Sequence, residues 1–173
     1  MRVRYRLGQF WRILTAVPLD KSARIAVTAV LTPTELALFE YFAASDQWHS
    51  FHVMRLLQST GHEDPDLIKA ALLHDVGKAG KRLTIWERSL IVLAGFFLPG
   101  QTAVWGQGEA RGWRRPFVIK AQHPEWGADM AAKAGCSPRT ASLIRRHQDL
   151  LPETAVTEED KLLCLLQWAD DRS

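Results

Sequence analysis

Residues Ala70-Ala71-Leu72-Leu73-His74-Asp75-Val76-Gly77-Lys78 set the reading of this chain. Four apolar residues run straight into an imidazole and a carboxylate, and a Gly and a Lys follow. The apolar run reads as the end of a packed helix, with Gly77 as its stop. Adjacent side chains on an ideal helix diverge by about 100°, yet near a fraying end both can still turn toward one centre. Imidazole and carboxylate together suit a divalent cation, and a Lys beside them suits an anion such as phosphate.

Working outward, the chain reads as helices with short polar breaks and no alternating strand pattern. Upstream, Asp64-Pro65 opens the helix that ends at His74-Asp75. Before it, Asp46 is the expected cap of a helix through His49, Val53, Leu56 and Leu57 that stops near Gly61. Thr32-Pro33-Thr34-Glu35 is a helix start with a capping box, and Leu36, Phe39 and Ala43 are expected on one face. Leu7, Phe10, Trp11 and Leu14 fall at helical spacing ahead of Pro18.

Downstream, Thr84-Ile85-Trp86-Glu87 repeats the capping-box pattern and opens an apolar helix ending near Pro99. That helix is expected to be buried. Its apolar run, 90–98, is far short of the roughly 20 residues a spanning helix needs, so shallow membrane or partner contact is its other reading. Residues 100–121 read as the longest loop, broken by Gly100, Gly106, Gly108 and Gly112. Pro124 and Ser137-Pro138 are read as the next two helix starts. Thr157, followed by Glu158, Glu159 and Asp160, starts the last helix. The expected fold class is all-α: one helical bundle spanning 46–173, with residues 1–45 as an N-terminal helical extension packed on it or forming a homodimer contact.

Composition supports a packed domain: 47% of the 173 residues are hydrophobic and seven are Trp. The net charge of +3 is compatible with a small anionic substrate and too weak to indicate a nucleic-acid polymer. Cys136 and Cys164 form no Cys-x-x-Cys pair and read as two reduced, buried thiols of a cytoplasmic protein. The basic N-terminus (Arg2, Arg4, Arg6, Arg12) is not followed by the apolar run of a signal peptide. There is no phosphate-cradling Gly-rich loop followed by Lys-Ser or Lys-Thr, and no dinucleotide fingerprint.

The six histidines are His49, His52, His62, His74, His123 and His147. With His49 ahead of His74-Asp75 and Trp168-Ala169-Asp170 behind, the order resembles the HD superfamily of metal-dependent phosphohydrolases. The likeness covers about His49 to Asp170. It implies that His49, His74, Asp75 and Asp170 bind one metal. His49 is preferred to His52 because Val53 then falls where the family has an apolar residue. Asp170 is preferred to Asp171 because Ala precedes it.

His123-Pro124-Glu125-Trp126-Gly127-Ala128 is similar to the extra element of family members that hold a second metal. Ile144-Arg145-Arg146-His147-Gln148 is similar to the element after it. The resemblance then implies that Asp75 bridges two ions and that His123 and His147 serve the second. Such a set occurs in HD-type dinucleoside polyphosphate hydrolases and in cyclic-dinucleotide phosphodiesterases with a Gly-Tyr-Pro element, which this chain lacks.

The implied activity is hydrolysis of a phosphoester or phosphoanhydride of a nucleotide-type small molecule by a metal-activated hydroxide. The ions would be one or two of Mn, Fe, Co, Ni or Zn. Asp75 and Lys78 are the expected catalytic residues, with Lys78 also meeting the phosphate. Arg145, Arg146 and His52 are weaker candidates for substrate contact. One of the two Arg is expected to face solvent, and the plainer reading of His52 is an ordinary packed histidine. A one-metal nucleotidase and a non-catalytic nucleotide-sensing module are the alternative functions.

Overall fold

Local signals start most of the helices. The computed structural model describes residues 17–81, 83–151 and 157–173; the expected helix through Leu7, Phe10, Trp11 and Leu14 lies outside them. In chain order the helices are α1 (Lys21–Thr28), α2 (Pro33–Glu40), α3 (Ala44–Ser59), α4 (Pro65–Leu73), α5 (Ile85–Phe97), α6 (Pro99–Trp105), α7 (Arg115–Lys133), α8 (Pro138–Arg146) and α9 (Glu158–Asp170). Single 3-10 turns lie at Val76–Lys78 and Gly112–Arg114, and no strand occurs among the described residues. The fold is all-α.

Capping boxes close the N-termini of α2 (Thr32 with Glu35), α5 (Thr84 with Glu87) and α9 (Thr157 with Asp160). Asp64 and Ser137 cap α4 and α8, each followed by Pro at the first turn. Helix α3 departs from expectation. It begins at Ala44 with Ala43 as an N-cap that offers no side chain, so Ala43 belongs to the α2–α3 junction and not to the face of α2. Asp46 therefore sits in the first turn, where it complements the helix dipole.

The core is one cluster assembled from α3, α4, α8 and α9 with Val76 and the C-terminal half of α7, and it takes in Val27 of α1, Phe39 of α2 and the adjoining Leu31 and Phe42. Helix α4 lies at its centre, with Leu67, Leu72 and Leu73 fully buried. Helix α2 is attached through Glu35, a buried carboxylate. It accepts from Lys69 Nζ of α4 at 2.8 Å and from Cys136 Sγ at 3.3 Å. That contact and burial push the Cys136 thiol up to about 12. Cys164, expected to be buried, is exposed.

Four expectations about 77–124 are corrected. Gly77 does not stop α4; it lies in the 3-10 turn beneath α7. A Cβ there would fall 2.0 Å from the His123 carbonyl oxygen, so only Gly allows this approach. Residues 100–121 are not a long loop, since α6 and the start of α7 occupy most of them. Pro124 does not start a helix but lies inside α7.

A Pro in that position removes the N–H that would bond the Lys120 carbonyl. The His123 ring takes its place, donating Nδ1–H toward the carbonyls of Lys120 and Ile119 at 2.9 and 3.0 Å. The fourth correction concerns α5, which is apolar as expected but not buried. Ala94 is its only buried residue.

Candidate metal centre

Five elements deliver six side chains to one place. His49 comes from α3, His74 and Asp75 from the end of α4, His123 from the middle of α7, His147 from the end of α8 and Asp170 from the last turn of α9. They fall into two groups, His49 with His74 and Asp170, and Asp75 with His123 and His147. Within each group the donor atoms lie within 4.8 Å of one another. Helix α4 ends where it must for this: His74 is its C-cap, and the backbone turns 3-10 at Val76, which sends Asp75 away from the helix axis.

The approach of α7 to that turn is set by two glycines. Gly77 meets the backbone around His123, and a Cβ at Gly127 would fall 3.1 Å from the Gly77 nitrogen. A side chain at Gly77 would push His123 away from Asp75, which it now approaches to 3.3 Å, and one at Gly127 would crowd the same contact.

Backbone carbonyls orient three of the imidazoles. Nδ1 of His74 donates to Ala71 O at 3.0 Å, that of His147 to Ile144 O at 2.7 Å, and that of His123 as described. A carbonyl only accepts, so each Nδ1 carries the proton and each Nε2 of a neutral ring presents a bare lone pair. These lone pairs converge. His123 Nε2 and His147 Nε2 are 3.3 Å apart, and both face Asp75 Oδ1, at 3.3 and 3.7 Å. His74 Nε2 is buried with no hydrogen-bond partner, 3.5 Å from Asp170 Oδ1 and 3.8 Å from Asp75 Oδ2. His49 Nε2 lies 2.8 Å from the same Asp170 oxygen. The two oxygens of Asp75 therefore point to different groups, Oδ1 to His123 and His147, Oδ2 toward His74.

Converging acceptors without enough donors are unfavourable unless a cation sits among them. The donor set fits a divalent transition metal: imidazole nitrogens and two carboxylates, with His74, His123 and His147 buried and His49 and Asp170 partly open to solvent. The carboxylates are held ionised. Burial opposes the charge of Asp75, but Lys78, His74 and His123 outweigh it and keep the group well below the usual carboxylate range. Asp170 behaves alike, with His49 and His74 overcoming its burial. Burial, helped by the charge near His74, drives His147 down to about 3, and burial also lowers His123. Neutral His123 and His147 beside ionised carboxylates are the protonation states that metal ligation needs. At His74 burial opposes the charge, but Asp75 and Asp170 outweigh it and raise the group, so a cation there would displace its proton.

The other candidates are distributed unevenly. Lys78 reaches the centre, its Nζ 2.7 Å from the Asp75 carboxylate. Arg145 does not; it pairs with Glu125 at 2.9 Å and Asp129 at 3.4 Å on α7. Arg146 pairs with Glu159 and Asp160, both at 2.6 Å, which ties α8 to the start of α9. His52 lies on the exposed side of α3, stacked on Trp48 at 5.6 Å. Sequence reasoning did not single out Gln148, whose amide nitrogen is 3.5 Å from His123 Nε2. Its signal was present, as the polar residue directly after His147. Gln148 also lines a surface cleft of about 440 Å³ with Pro124, Glu125, Arg145, Arg146 and Asp149.

The model of the HD domain matches residues 48–173, most of the chain and all six of these side chains. The chain belongs to the HD-domain family. This family lies within the superfamily of metal-dependent phosphohydrolases, and the two donor groups are compatible with an HD-type metal site. No curated protein and no solved structure matches the chain.

Proposed function

We propose that this HD protein is a binuclear metal-dependent phosphohydrolase acting on a phosphoester or phosphoanhydride of a nucleotide-type substrate. The observation that carries this reading is the buried His74 Nε2, unpartnered between two carboxylates, beside the facing lone pairs of His123 and His147. His49, His74 and Asp170 would hold one ion, and Asp75, His123 and His147 the other, with Asp75 offering one oxygen to each. A divalent ion supplies Lewis acidity toward phosphoryl oxygens and a nucleophile from water near neutral pH.

The chain's own residues do the rest. Carbonyl-anchored rings keep Nε2 of His74, His123 and His147 aimed inward, so little reorganisation accompanies the reaction. Lys78 keeps Asp75 ionised, and its partly exposed amine offers a donor to a phosphoryl oxygen. The cleft at Gln148, whose amide nitrogen lies 3.5 Å from His123 Nε2, offers a substrate a way toward the donors.

The test is a hydrolysis screen over nucleotides, dinucleoside polyphosphates and cyclic nucleotides, run with Mn, Fe, Co, Ni and Zn, together with elemental analysis of the purified protein. Turnover that needs metal, with two equivalents per chain, is the expected result. One equivalent with turnover would indicate the mononuclear nucleotidase. Metal-loaded protein that binds phosphate compounds and hydrolyses none would overturn the enzymatic reading.

A further inference from the structure

Helix α5 is built inside out. The side facing α7 carries Glu87, Ile91 and Ala94, and of these only Ala94 is fully buried. The side facing solvent carries Trp86, Leu93, Phe96 and Phe97, which are 84%, 56%, 79% and 70% exposed. Helix α6 follows after Leu98 and has no buried residue. From Ile85 to Trp105 the only charged residues are Glu87 and Arg88. Isolated exposed apolar residues are ordinary, but a continuous helical hairpin of them marks a docking surface.

The charge around this hairpin identifies its partner. Residues 76–120 contain eight Lys and Arg against two Glu, a net +6 in a chain whose total is +3. Both Glu are already paired, Glu87 with Arg115 and Glu109 with Arg111. Three of these basic residues adjoin the hairpin, while Lys78 is held at Asp75. Arg115 bonds to the first turn of α5. Arg114 stacks on Trp113, which packs on Trp105 at the end of α6. Lys120 shares a small cleft with Ile91 of α5 and Thr102 of α6.

Apolar side chains outermost, with Trp and Arg at their flank, match the order of layers in a bilayer with anionic headgroups. No helix among the described residues is long and apolar enough to cross a membrane. Contact of this kind would therefore be confined to one leaflet.

We propose that the α5–α6 hairpin docks on an anionic lipid surface, with Phe96, Phe97 and Leu98 entering the acyl boundary and Arg88, Arg114 and Lys120 meeting headgroups. The inference does not depend on the hydrolytic reading, and its test is done with chelator present.

Co-sedimentation of the full chain with vesicles of phosphatidylcholine plus phosphatidylglycerol should show binding. That binding should weaken about tenfold on pure phosphatidylcholine or at high salt. The pair Phe96→Asp and Phe97→Asp should weaken it about 100-fold with an unchanged circular dichroism spectrum, while Phe96→Leu with Phe97→Leu should preserve it. Three results would overturn the proposal. One is wild-type protein left in the supernatant. Another is a folded double Asp variant that still binds, which would assign binding to a segment such as the basic residues 1–16. The last is a dimer in sedimentation velocity that the Asp pair dissociates without any vesicle binding, which would make a second copy the occupant.

Discussion

The end of α4 and the length of α5 invert the usual arrangement of a protein in opposite directions. Around His74 and Asp75, polar and charged groups are buried, aimed at one another and short of partners. Along α5, large apolar groups such as Trp86, Phe96 and Phe97 face water. Each departure is unfavourable for an isolated folded chain. Helices α3, α4, α7, α8 and α9 spend packing on holding the first arrangement, whereas almost nothing packs on the second. The donor groups are compatible with a cation at the first region, and the proposed lipid contact would cover the second.

The sharpest way to break the comparison is Asp75→Asn, which removes the carboxylate shared by both donor groups. Hydrolysis should fall by about a thousandfold or more, and bound metal should drop in elemental analysis, while helical content persists. Leu72→Ala in the centre of α4 should cost about 2–5 kcal/mol in urea denaturation, because a fully buried side chain leaves a cavity. Gly77→Ala should cost about 2–4 kcal/mol, since the new Cβ would lie 2.0 Å from the His123 carbonyl oxygen and must displace α7. It should also loosen metal binding, because the same displacement carries His123 away from Asp75.

Glu35→Ala should cost about 2–3 kcal/mol by leaving Lys69 and Cys136 without their shared acceptor. This contribution has a definite pH sign. Burial opposes the charge of Glu35, but Lys69, the Thr32 N–H and Cys136 hold its folded pKa below the ordinary 4.5. The stabilisation is therefore full above 4.5 and is lost as pH falls through the lowered folded value. Wild type and Glu35→Ala should converge in stability in acid. The smallest effect is expected at the other pole. Phe96→Asp should change unfolding free energy by no more than about 0.5 kcal/mol, because Phe96 packs on little besides Phe97. A large loss of stability there would show that α5 is part of the core after all.

Much of this was legible in the amino-acid order. Helix starts at Thr32, Asp64, Thr84, Ser137 and Thr157 were readable because a cap is a local hydrogen bond between residues two or three apart. The six donors were readable because their neighbours, Ala-Asp at the end and His-x-x-x-Gly-Ala in the middle, accompany them. Other features depended on what each segment meets in space. Pro124 breaks the local rule, and α7 continues through it because the His123 ring replaces the missing donor. Arg145 and Arg146 flank a candidate ligand in sequence but are claimed by acids on α7 and α9. Gly77 looked like a helix stop until the carbonyl of His123 was found against it.

Order along the chain was thus enough to specify helices, their caps and the kinds of donor that would matter. Those properties arise from contacts within one or two turns. Convergence of the donors, the two-group division around Asp75 and the exposure of α5 came from folding in three dimensions. Apolar content states that a helix will leave water, but the neighbours available to it determine whether it does so inside the protein.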